Sequence, residues 1–276
     1  MNVVALHGLK GGVGTTTVVA NLAAAIHSLN RPVLAIDLCA QNNLRLHFAM
    51  GLSDNSGFAT QVRDHQPWHQ AAYVTQTGIQ FLPFGQDDYD GGIAAMENLM
   101  QKNPFWLENW LEQLDLPEET WVLLDCPIFP SPYNHAGMAV ANTSILVLNP
   151  ESLSYTALHG SNRTRYLEFG DELNQLLLLN RYCPAIELER DITSLLKADF
   201  DHALLPITIH RDESLRESLA YKKTVIEAAP ASQSAQDFSL AALWLTSRAD
   251  KLRDIRKQQA SDELQIVEKE AEQETP

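Results

Sequence analysis

The stretch HGLKGGVGTTTVV, residues 7–19, decides the fold. An apolar run at 3–7 precedes it, and the segment after it carries Val19, Leu22 and Ile26 at helical spacing. Successive glycines let backbone N–H groups converge on an anion, and the start of the following helix adds the positive end of its dipole at the same point. The stretch therefore predicts a phosphate-binding loop between a strand and a helix. The alternative is a glycine-rich turn in an α/β protein that binds no nucleotide.

The loop departs from the common phosphate-loop pattern at two positions. In the pattern G-x-x-x-x-G-K-[ST], the first glycine corresponds here to Leu9 and the lysine to Thr15. Gly11, Gly12 and Gly14 still supply the small residues that an anion cradle needs. We therefore expect the loop to bind phosphate without the usual lysine.

Two further threonines follow the loop. Thr16 falls where a hydroxyl would ligate the Mg²⁺ ion that bridges the β- and γ-phosphates, and Thr17 lies one residue beyond. This spacing predicts the metal ion at the start of the helix.

Apolar runs alternate with helical patterns along the chain, which predicts a doubly wound, mostly parallel sheet with helices on both faces. Strands are expected at 3–7, 33–37, 79–84, 121–125, 144–149, 176–180 and 204–209, and helices at 93–115, 152–169 and 235–257. Ligands of such sheets bind at the carboxyl ends of the strands. We expect a single nucleotide-binding domain over residues 1–248, followed at 249–276 by a charged helical extension and a disordered tail.

The composition narrows the possible partners and compartment. The chain has 276 residues, 35 of them acidic and 20 basic, for a formal net charge of -15. Nonspecific DNA binding needs a concentrated basic surface, so no nucleic-acid partner is expected. No run of about eighteen apolar residues and no secretion signal occurs, and Cys39, Cys126 and Cys183 have neither metal nor redox spacing. We expect a cytoplasmic protein that reaches a membrane only through partners.

Motifs along the chain resemble those of the MinD/ParA family of ATPases. KGGVGTTT at 10–17 is similar to the family's deviant Walker A loop, VLAIDLCAQNNL at 33–44 to its switch I segment, and WVLLDCP at 121–127 to its Walker B and switch II. LLLLNRY at 176–182 is similar to the strand end that holds adenine, and the segment 207–227 to the family's I-P-x-D segment, with His210 in place of proline. The motifs occur in the family's order, so the resemblance implies a P-loop nucleotide-binding fold with ATP and Mg²⁺ as cofactors.

The resemblance also implies a set of site residues. The nucleotide would be held by Lys10, Gly11, Gly12, Val13, Gly14, Thr15, Thr16, Thr17, Asn180, Arg181, His210 and Asp212, and Mg²⁺ by Thr16, Asp37 and Asp125. In this family the first lysine of the loop reaches across a nucleotide-sandwich dimer, so a homodimer is implied. Lys10 is otherwise an ordinary surface lysine, and His210 is otherwise a packed strand-end residue.

A finer set of motifs resembles the BcsQ proteins, the MinD-like proteins of bacterial cellulose-synthesis operons. The set comprises the loop without its second lysine, Asp37 followed by Cys39, NNLRL at 42–46, FLPFGQ at 81–86 and IHRDE at 209–213. This resemblance implies an accessory protein that helps assemble, localise or activate a cellulose synthase and secretion complex at the inner membrane or cell pole. The implied partners are a small companion from the same operon (BcsR-like) and cytoplasmic regulators of the synthase (BcsE-like, BcsA).

Two departures from the MinD/ParA pattern predict slow or absent hydrolysis. Thr15 replaces the lysine that neutralises the β- and γ-phosphates, and Cys39 replaces the acid that positions the attacking water. Asp37 is the one remaining catalytic candidate. Removing one donor aimed at transition-state charge costs on the order of 10²–10³ in rate, whereas a lost charge-assisted hydrogen bond costs binding only about 1.5–3 kcal/mol. Cys39 is alternatively a small buried residue without a chemical role.

Other functions on this fold are alternatives. A ParA-like partition ATPase needs a basic DNA-binding face, which the acidic net charge opposes. A membrane-cycling regulator needs a lipid-inserting helix, and the charged C-terminal tail has no apolar face for that role. An iron–sulfur reductase needs paired cysteines at the dimer interface, and the cysteine spacing opposes it.

A set of apolar and aromatic residues in the middle of the chain can form either an interaction surface or the packed core beneath a helix. Its members are Trp106, Trp110, Phe129, Pro130, Pro132 and Tyr133.

Overall fold

The strands of the computed structural model, which describes residues 1–86, 91–159 and 174–273, form one sheet. They are β1 Asn2–Gly8, β2 Val33–Asp37, β3 Tyr73–Val74, β4 Gln80–Leu82, β5 Trp121–Asp125, β6 Thr143–Leu148 and β7 Asn174–Leu179. Their order is β3-β4-β2-β5-β1-β6-β7, and every neighbouring pair is parallel except β3 with β4. The predicted doubly wound, mostly parallel sheet is confirmed.

Helices connect the strands and cover the sheet on both faces. They are α1 Thr15–Ser28, α2 Phe58–Arg63, α3 Gly91–Lys102, α4 Trp106–Gln113, α5 Pro132–Val140, α6 Ser152–His159, α7 Glu187–Phe200, α8 Glu213–Ala220, α9 Val225–Ala228 and α10 Gln233–Gln273. Short 3₁₀ turns occupy Leu44–His47 and Trp68–Ala71. None of the helices in the described part of the chain is long and apolar enough to cross a membrane.

Each face of the sheet has its own hydrophobic core. On one face α1 and α10 pack together over the sheet, with Leu22, Ile26 and Phe238 buried between them and the strands. On the other face α4 buries Trp106 and Trp110. Because the sheet is covered on both faces, its central strands carry buried apolar residues on both faces rather than on alternate positions.

The tryptophans therefore belong to the core and not to an interaction surface. Trp106 is 1% exposed, and Trp110 stacks on Trp68 with ring centroids 4.4 Å apart. Tyr133 is buried as well. The surface interpretation is wrong for Trp106, Trp110 and Tyr133, because α4 and α5 turn these side chains toward the sheet. Phe129 is half-buried and Pro130 and Pro132 are exposed, so for these three the interaction surface stays a prediction.

Several predicted elements differ from the structure. No strand forms at 204–209, where Leu204 makes only an isolated bridge to Leu177, because Pro206 cannot donate to a ladder. The helix predicted at 93–115 is two helices, α3 and α4, since Pro104 interrupts it. Of the helix predicted at 152–169, α6 accounts for the first eight residues, and 160–169 lie outside the described residues.

The last helix is longer than predicted. The pattern at 235–257 predicts its first part, but α10 continues to Gln273, so most of the charged extension is helical. The domain boundary at residue 248 stays a prediction.

Burial of His47 predicts a loss of stability in acid. His47 is 3% exposed, and desolvation lowers its pKa from 6.5 to about 4. The unfolded chain therefore binds a proton at His47 as the pH falls through 6.5, while the folded chain does not bind one until about pH 4. This contributes stability above pH 6.5 that is progressively lost below it. Between pH 7.5 and 5, the free energy of unfolding of the wild type should fall by about 2 kcal/mol relative to that of His47→Gln.

Urea denaturation across this pH range measures the difference. The exposed His202 provides the control, and His202→Gln should follow the wild type at every pH. Parallel pH profiles for the wild type and His47→Gln would contradict the expected effect.

Candidate functional site

The loop between β1 and α1 has the shape of an anion cradle. Gly12 and Gly14 have φ angles of 76° and 94°, in the left-handed region that favours glycine. The backbone N–H groups of residues 10–17 have no hydrogen-bond acceptor among the described residues. A row of unpaired donors at the start of a helix is a binding site for an anion such as phosphate.

The end of β7 holds the loop in this shape. The Asn180 side-chain amide donates to the Val13 carbonyl, and the Arg181 guanidinium donates to the Gly12 carbonyl, each at 2.7 Å. Asn180 is almost fully buried. Because these two carbonyls accept hydrogen bonds from the end of β7, the N–H groups of the loop remain available to bind a ligand. The structure thus brings the predicted residues Asn180 and Arg181 against the loop.

Lys10 is paired with an acid of its own chain. Its Nζ lies 2.7 Å from Glu151 Oε1, and both side chains are 37% exposed. Glu151 follows the end of β6 and was missed by the sequence analysis, because the pairing depends on how two separate loops meet. A lysine that acts on a partner's nucleotide would first have to leave this ion pair.

Two carboxylates face each other at the carboxyl ends of neighbouring strands. Asp37 ends β2, Asp125 ends β5, and the two residues are paired in register. Both are fully buried. The carboxylate of Asp37 accepts hydrogen bonds from the N–H groups of Cys39 at 2.9 Å and Leu44 at 3.0 Å. Neither carboxylate oxygen of Asp125 makes a hydrogen bond of regular geometry among the described residues, although the Thr16 hydroxyl lies close enough to influence it.

The protonation of this pair reflects its burial. Desolvation raises the pKa of Asp37 to about 7, against the effect of its two backbone N–H donors. Desolvation raises the pKa of Asp125 well above its usual value, the charge of Asp37 raises it further, and the nearby Thr16 hydroxyl acts in the opposite direction. Two buried carboxylates cannot both be ionised without a cation nearby. The Asp125 oxygens and the Thr16 hydroxyl are hard oxygen donors, so these residues suit Mg²⁺.

Cys39 joins the two carboxylates. Its thiol, a carboxylate oxygen of Asp37 and one of Asp125 lie within 4.8 Å of one another. Burial raises the pKa of the thiol, and the two carboxylates raise it further. Cys39 is half-buried and lies beside both acids. A chemical role for it stays a prediction. The spacing of Asp37 and Cys39, two residues apart at the end of β2, is the feature of the sequence that predicts this proximity. Cys39 itself lies just beyond the strand.

The side chains of His210 and Asp212 fasten their segment to the start of α10. The His210 ring and backbone N–H both contact Asp237 Oδ2, at 2.9 and 2.8 Å. The Asp212 carboxylate accepts from the N–H of Ser214, where it caps α8, and from the N–H and hydroxyl of Ser234. His210 also bridges to Tyr182 beside the end of β7. The packing role of both residues is visible, and their contact with a base stays a prediction.

A polar cavity of about 260 Å³ opens beside the loop. Its lining residues are Asn149, Pro150, Glu151, Arg181, Glu189 and Arg211. Arg211 pairs with Glu189 at 2.7 Å across it. Apart from Arg181, sequence reasoning missed these residues, because their role depends on three loops that converge only in the fold.

Comparison with known proteins identifies the family of the chain. The family model described as "Cellulose biosynthesis protein BcsQ" matches residues 1–245. The chain belongs to the BcsQ family. This BcsQ-family chain is 30% identical over 255 residues to the "Cellulose biosynthesis protein BcsQ" of Escherichia coli K12, covering 88% of this chain and 94% of the relative. It is also 26% identical to the "Chromosome-partitioning ATPase Soj" of Thermus thermophilus, covering 85% of this chain and 91% of Soj.

The fold of the BcsQ-family chain is that of a MinD-like P-loop protein. It is similar to the septum site-determining protein MinD complexed with Mg-ADP from Pyrococcus horikoshii, with a TM-score of 0.67 and 26% identity over 92% of this chain and 98% of that one. The resemblance to the MinD/ParA family is therefore confirmed.

The shape of the loop predicts opposite outcomes for two neighbouring glycines. A Cβ at Gly14 would lie 2.7 Å from the Asn180 amide nitrogen on a left-handed backbone, whereas a Cβ at Gly11 would lie 3.7 Å from Ile128 Cδ1, an ordinary contact. Gly14→Ala should lower the free energy of unfolding by at least about 1–2 kcal/mol, the cost of a left-handed non-glycine residue.

Gly11→Ala is the matched control and should stay close to wild type in the same denaturant titration. Equal stabilities for the two variants would show that the loop does not have this shape.

Proposed function

We propose that this BcsQ-family chain binds Mg²⁺ and ATP at the glycine loop and acts as an ATP-clamped homodimer that hydrolyses ATP slowly or not at all. The observation that carries the proposal is the combination of unpaired N–H groups at residues 10–17 with the buried carboxylate of Asp125, which makes no hydrogen bond of regular geometry among the described residues. The first is suited to a polyphosphate and the second to its divalent cation. The similarity to a MinD bound to Mg-ADP supports both assignments.

Binding and hydrolysis depend on different groups. The backbone donors of the loop do not depend on the side chain at position 15, so a polyphosphate keeps most of its contacts when that side chain is threonine. Hydrolysis needs a positive charge directed at the γ-phosphate and a group that positions the attacking water. Thr15 provides no charge, and Cys39 stands where an acid would position the water, with its thiol hydrogen-bonded to the Asp125 carbonyl. When bound, Mg²⁺ would supply charge stabilisation to the phosphates, held through Thr16, Asp37 and Asp125.

The face around the loop supports dimerisation. Ile128, whose side chain lies beside Gly11, is 43% exposed, and Leu153 is 56% exposed two residues after Glu151. A second copy of the chain would cover these apolar side chains and approach Lys10. In the proposed dimer Lys10 leaves Glu151 for the nucleotide of the opposite subunit, so the ion pair opposes dimerisation in the monomer.

Substitutions on the two sides of this ion pair should have opposite effects. Lys10→Ala should abolish the ATP-dependent dimer, because it removes the cation that reaches the partner's nucleotide. Glu151→Gln should strengthen the dimer, because it frees Lys10. A pair between groups this exposed contributes on the order of 0.2–1 kcal/mol, and the dimer breaks one such pair in each subunit, so the expected gain is a dissociation constant lower by up to about thirtyfold.

Sedimentation velocity with and without Mg²⁺ and ATP measures the dissociation constant. Lys197→Ala, which removes an exposed lysine on α7, is the control and should dimerise like the wild type. An ATP-dependent dimer of Lys10→Ala as tight as that of the wild type would refute the role of Lys10 in the partner's site.

Restoring the two missing groups should restore turnover. The double variant Thr15→Lys, Cys39→Asp supplies a cation for the phosphates and an acid near the metal site, so phosphate release should rise by a factor on the order of 10²–10³. The control replaces the other half-buried cysteine, in Thr15→Lys, Cys183→Asp. A double variant that binds ATP yet releases phosphate no faster than the wild type would show that the slow step lies elsewhere.

In the cell, the dimer is proposed to help assemble, localise or activate a cellulose synthase and secretion complex. The family and the E. coli relative support the process. The proposed partners are a BcsR-like companion and the BcsE-like and BcsA components of the synthase, which would also bring the protein to the membrane. A partition ATPase like Soj would need a basic DNA-binding face, and the net charge of -15 opposes it. Tagged wild-type chain should retrieve synthase components from lysate, and Lys10→Ala should retrieve less.

A further inference from the structure

We propose that Asp37, Cys39 and Asp125 form a site for a thiophilic divalent transition-metal ion of the Zn²⁺ and Co²⁺ class, in which Cys39 ligates the ion through its sulfur. The site does not require nucleotide, so the proposal stands apart from the ATP-dependent function.

The three donor atoms lie close enough together for side-chain rotation to bring them onto one ion. The Cys39 sulfur and the two carboxylate oxygens lie within 4.8 Å of one another. In the tetrahedral geometry of zinc, bonds of about 2.3 Å to sulfur and 2.1 Å to oxygen place the ligand atoms about 3.4–3.6 Å apart, so the three atoms need to approach by up to about 1.3 Å, mainly through rotation of the Cys39 and Asp125 side chains. The Cys39 thiol already points toward the end of β5, where it donates to the Asp125 carbonyl at 3.5 Å.

The buried carboxylate of Asp125 is the observation that calls for a cation here. Asp125 is fully buried, and neither of its oxygens makes a hydrogen bond of regular geometry among the described residues, with only the Thr16 hydroxyl close enough to influence it. A buried polar group without a regular hydrogen bond is costly. Asp37 is fully buried as well and accepts two backbone hydrogen bonds, which hold its carboxylate in place. A divalent ion between the two acids would satisfy Asp125 and offset both negative charges.

The thiol decides which ion the site prefers. Hard ions such as Mg²⁺ select oxygen ligands, whereas Zn²⁺ and Co²⁺ also accept sulfur and bind N, O and S donors more strongly. On binding, the Cys39 thiol loses its proton to solvent and forms a sulfur–metal bond, with no change in oxidation state. Two oxygens and one sulfur leave a fourth tetrahedral position for water or for a phosphate oxygen. Zn²⁺ should therefore occupy the place proposed for Mg²⁺ and compete with it.

Cobalt is the probe, because a Co²⁺–thiolate bond gives a charge-transfer absorption band that oxygen ligands do not give. The full chain, freed of metal by chelator and kept reduced, is titrated with Co²⁺ without nucleotide. The expected result is a thiolate charge-transfer band that saturates at one ion per chain, is lost on addition of equimolar Zn²⁺, and persists with equimolar Mg²⁺. Cys39→Ser should lose the band, and Cys183→Ser, at the other half-buried cysteine, should retain it.

Three results would overturn the proposal: no band in folded wild-type protein, a band retained in Cys39→Ser, or a band lost equally in Cys183→Ser. If Cys39→Ser does not fold, Asp125→Asn replaces it and should lose tight Co²⁺ binding; unchanged binding in that variant would also overturn the proposal. Nucleotide retention is measured separately on the same preparations. A cobalt band in a chain that binds no ATP would support this metal site and contradict the proposed ATP function. ATP binding without a cobalt band would contradict the metal site and leave the ATP function supported.

Discussion

The hydrogen bond from the Asn180 side chain to the Val13 carbonyl joins two parts of the chain that are 167 residues apart in sequence. It fastens the glycine loop after β1 to the end of β7, and Arg181 adds a second bond to Gly12. With these carbonyls bound, the N–H groups that follow have no acceptor within the described structure and are available to an anion. A buried hydrogen bond of this kind contributes only about 1 kcal/mol net, but here it determines where the donors of the whole site point. The positive φ of Gly14 belongs to the same arrangement, because any side chain there would displace Asn180.

The second constraint is electrostatic. Parallel pairing of β2 with β5 places Asp37 opposite Asp125 in a fully buried position, where two negative charges without a counter-ion are unfavourable. The raised pKa values of both acids express this cost. A cation removes it, so metal binding and the ionised state of the pair are linked. Above pH 7, where the folded chain must ionise Asp37 against its burial, a bound divalent ion should stabilise the fold more than it does in acid. Cys39 shares this environment, and its sulfur changes which ions are suited to the cluster.

The local parts of this arrangement can be read from the sequence, and the parts that depend on converging loops cannot. The glycine loop, Thr16 and the strand-end acids Asp37 and Asp125 belong to continuous strand–loop–helix patterns, so their places in the fold follow from periodicity and spacing. The strand predicted at 204–209 failed because Pro206 removes a ladder donor in an otherwise apolar run. The partner of Lys10 is Glu151 on another loop, and the carboxylate of Asp212 is engaged by Ser214 and Ser234. No pattern within one segment contains such contacts.

The central claim is that the site holds ATP without splitting it quickly, and a single-turnover experiment tests it most directly. Excess protein is mixed with Mg²⁺ and γ-labelled ATP, the dimer is isolated by gel filtration, and the bound nucleotide is released by acid and identified over time. The account predicts a dimer that carries intact ATP long after a rapidly cycling relative would hold only ADP. A chain that elutes without nucleotide, or a dimer whose label is lost as phosphate as soon as it forms, would contradict it.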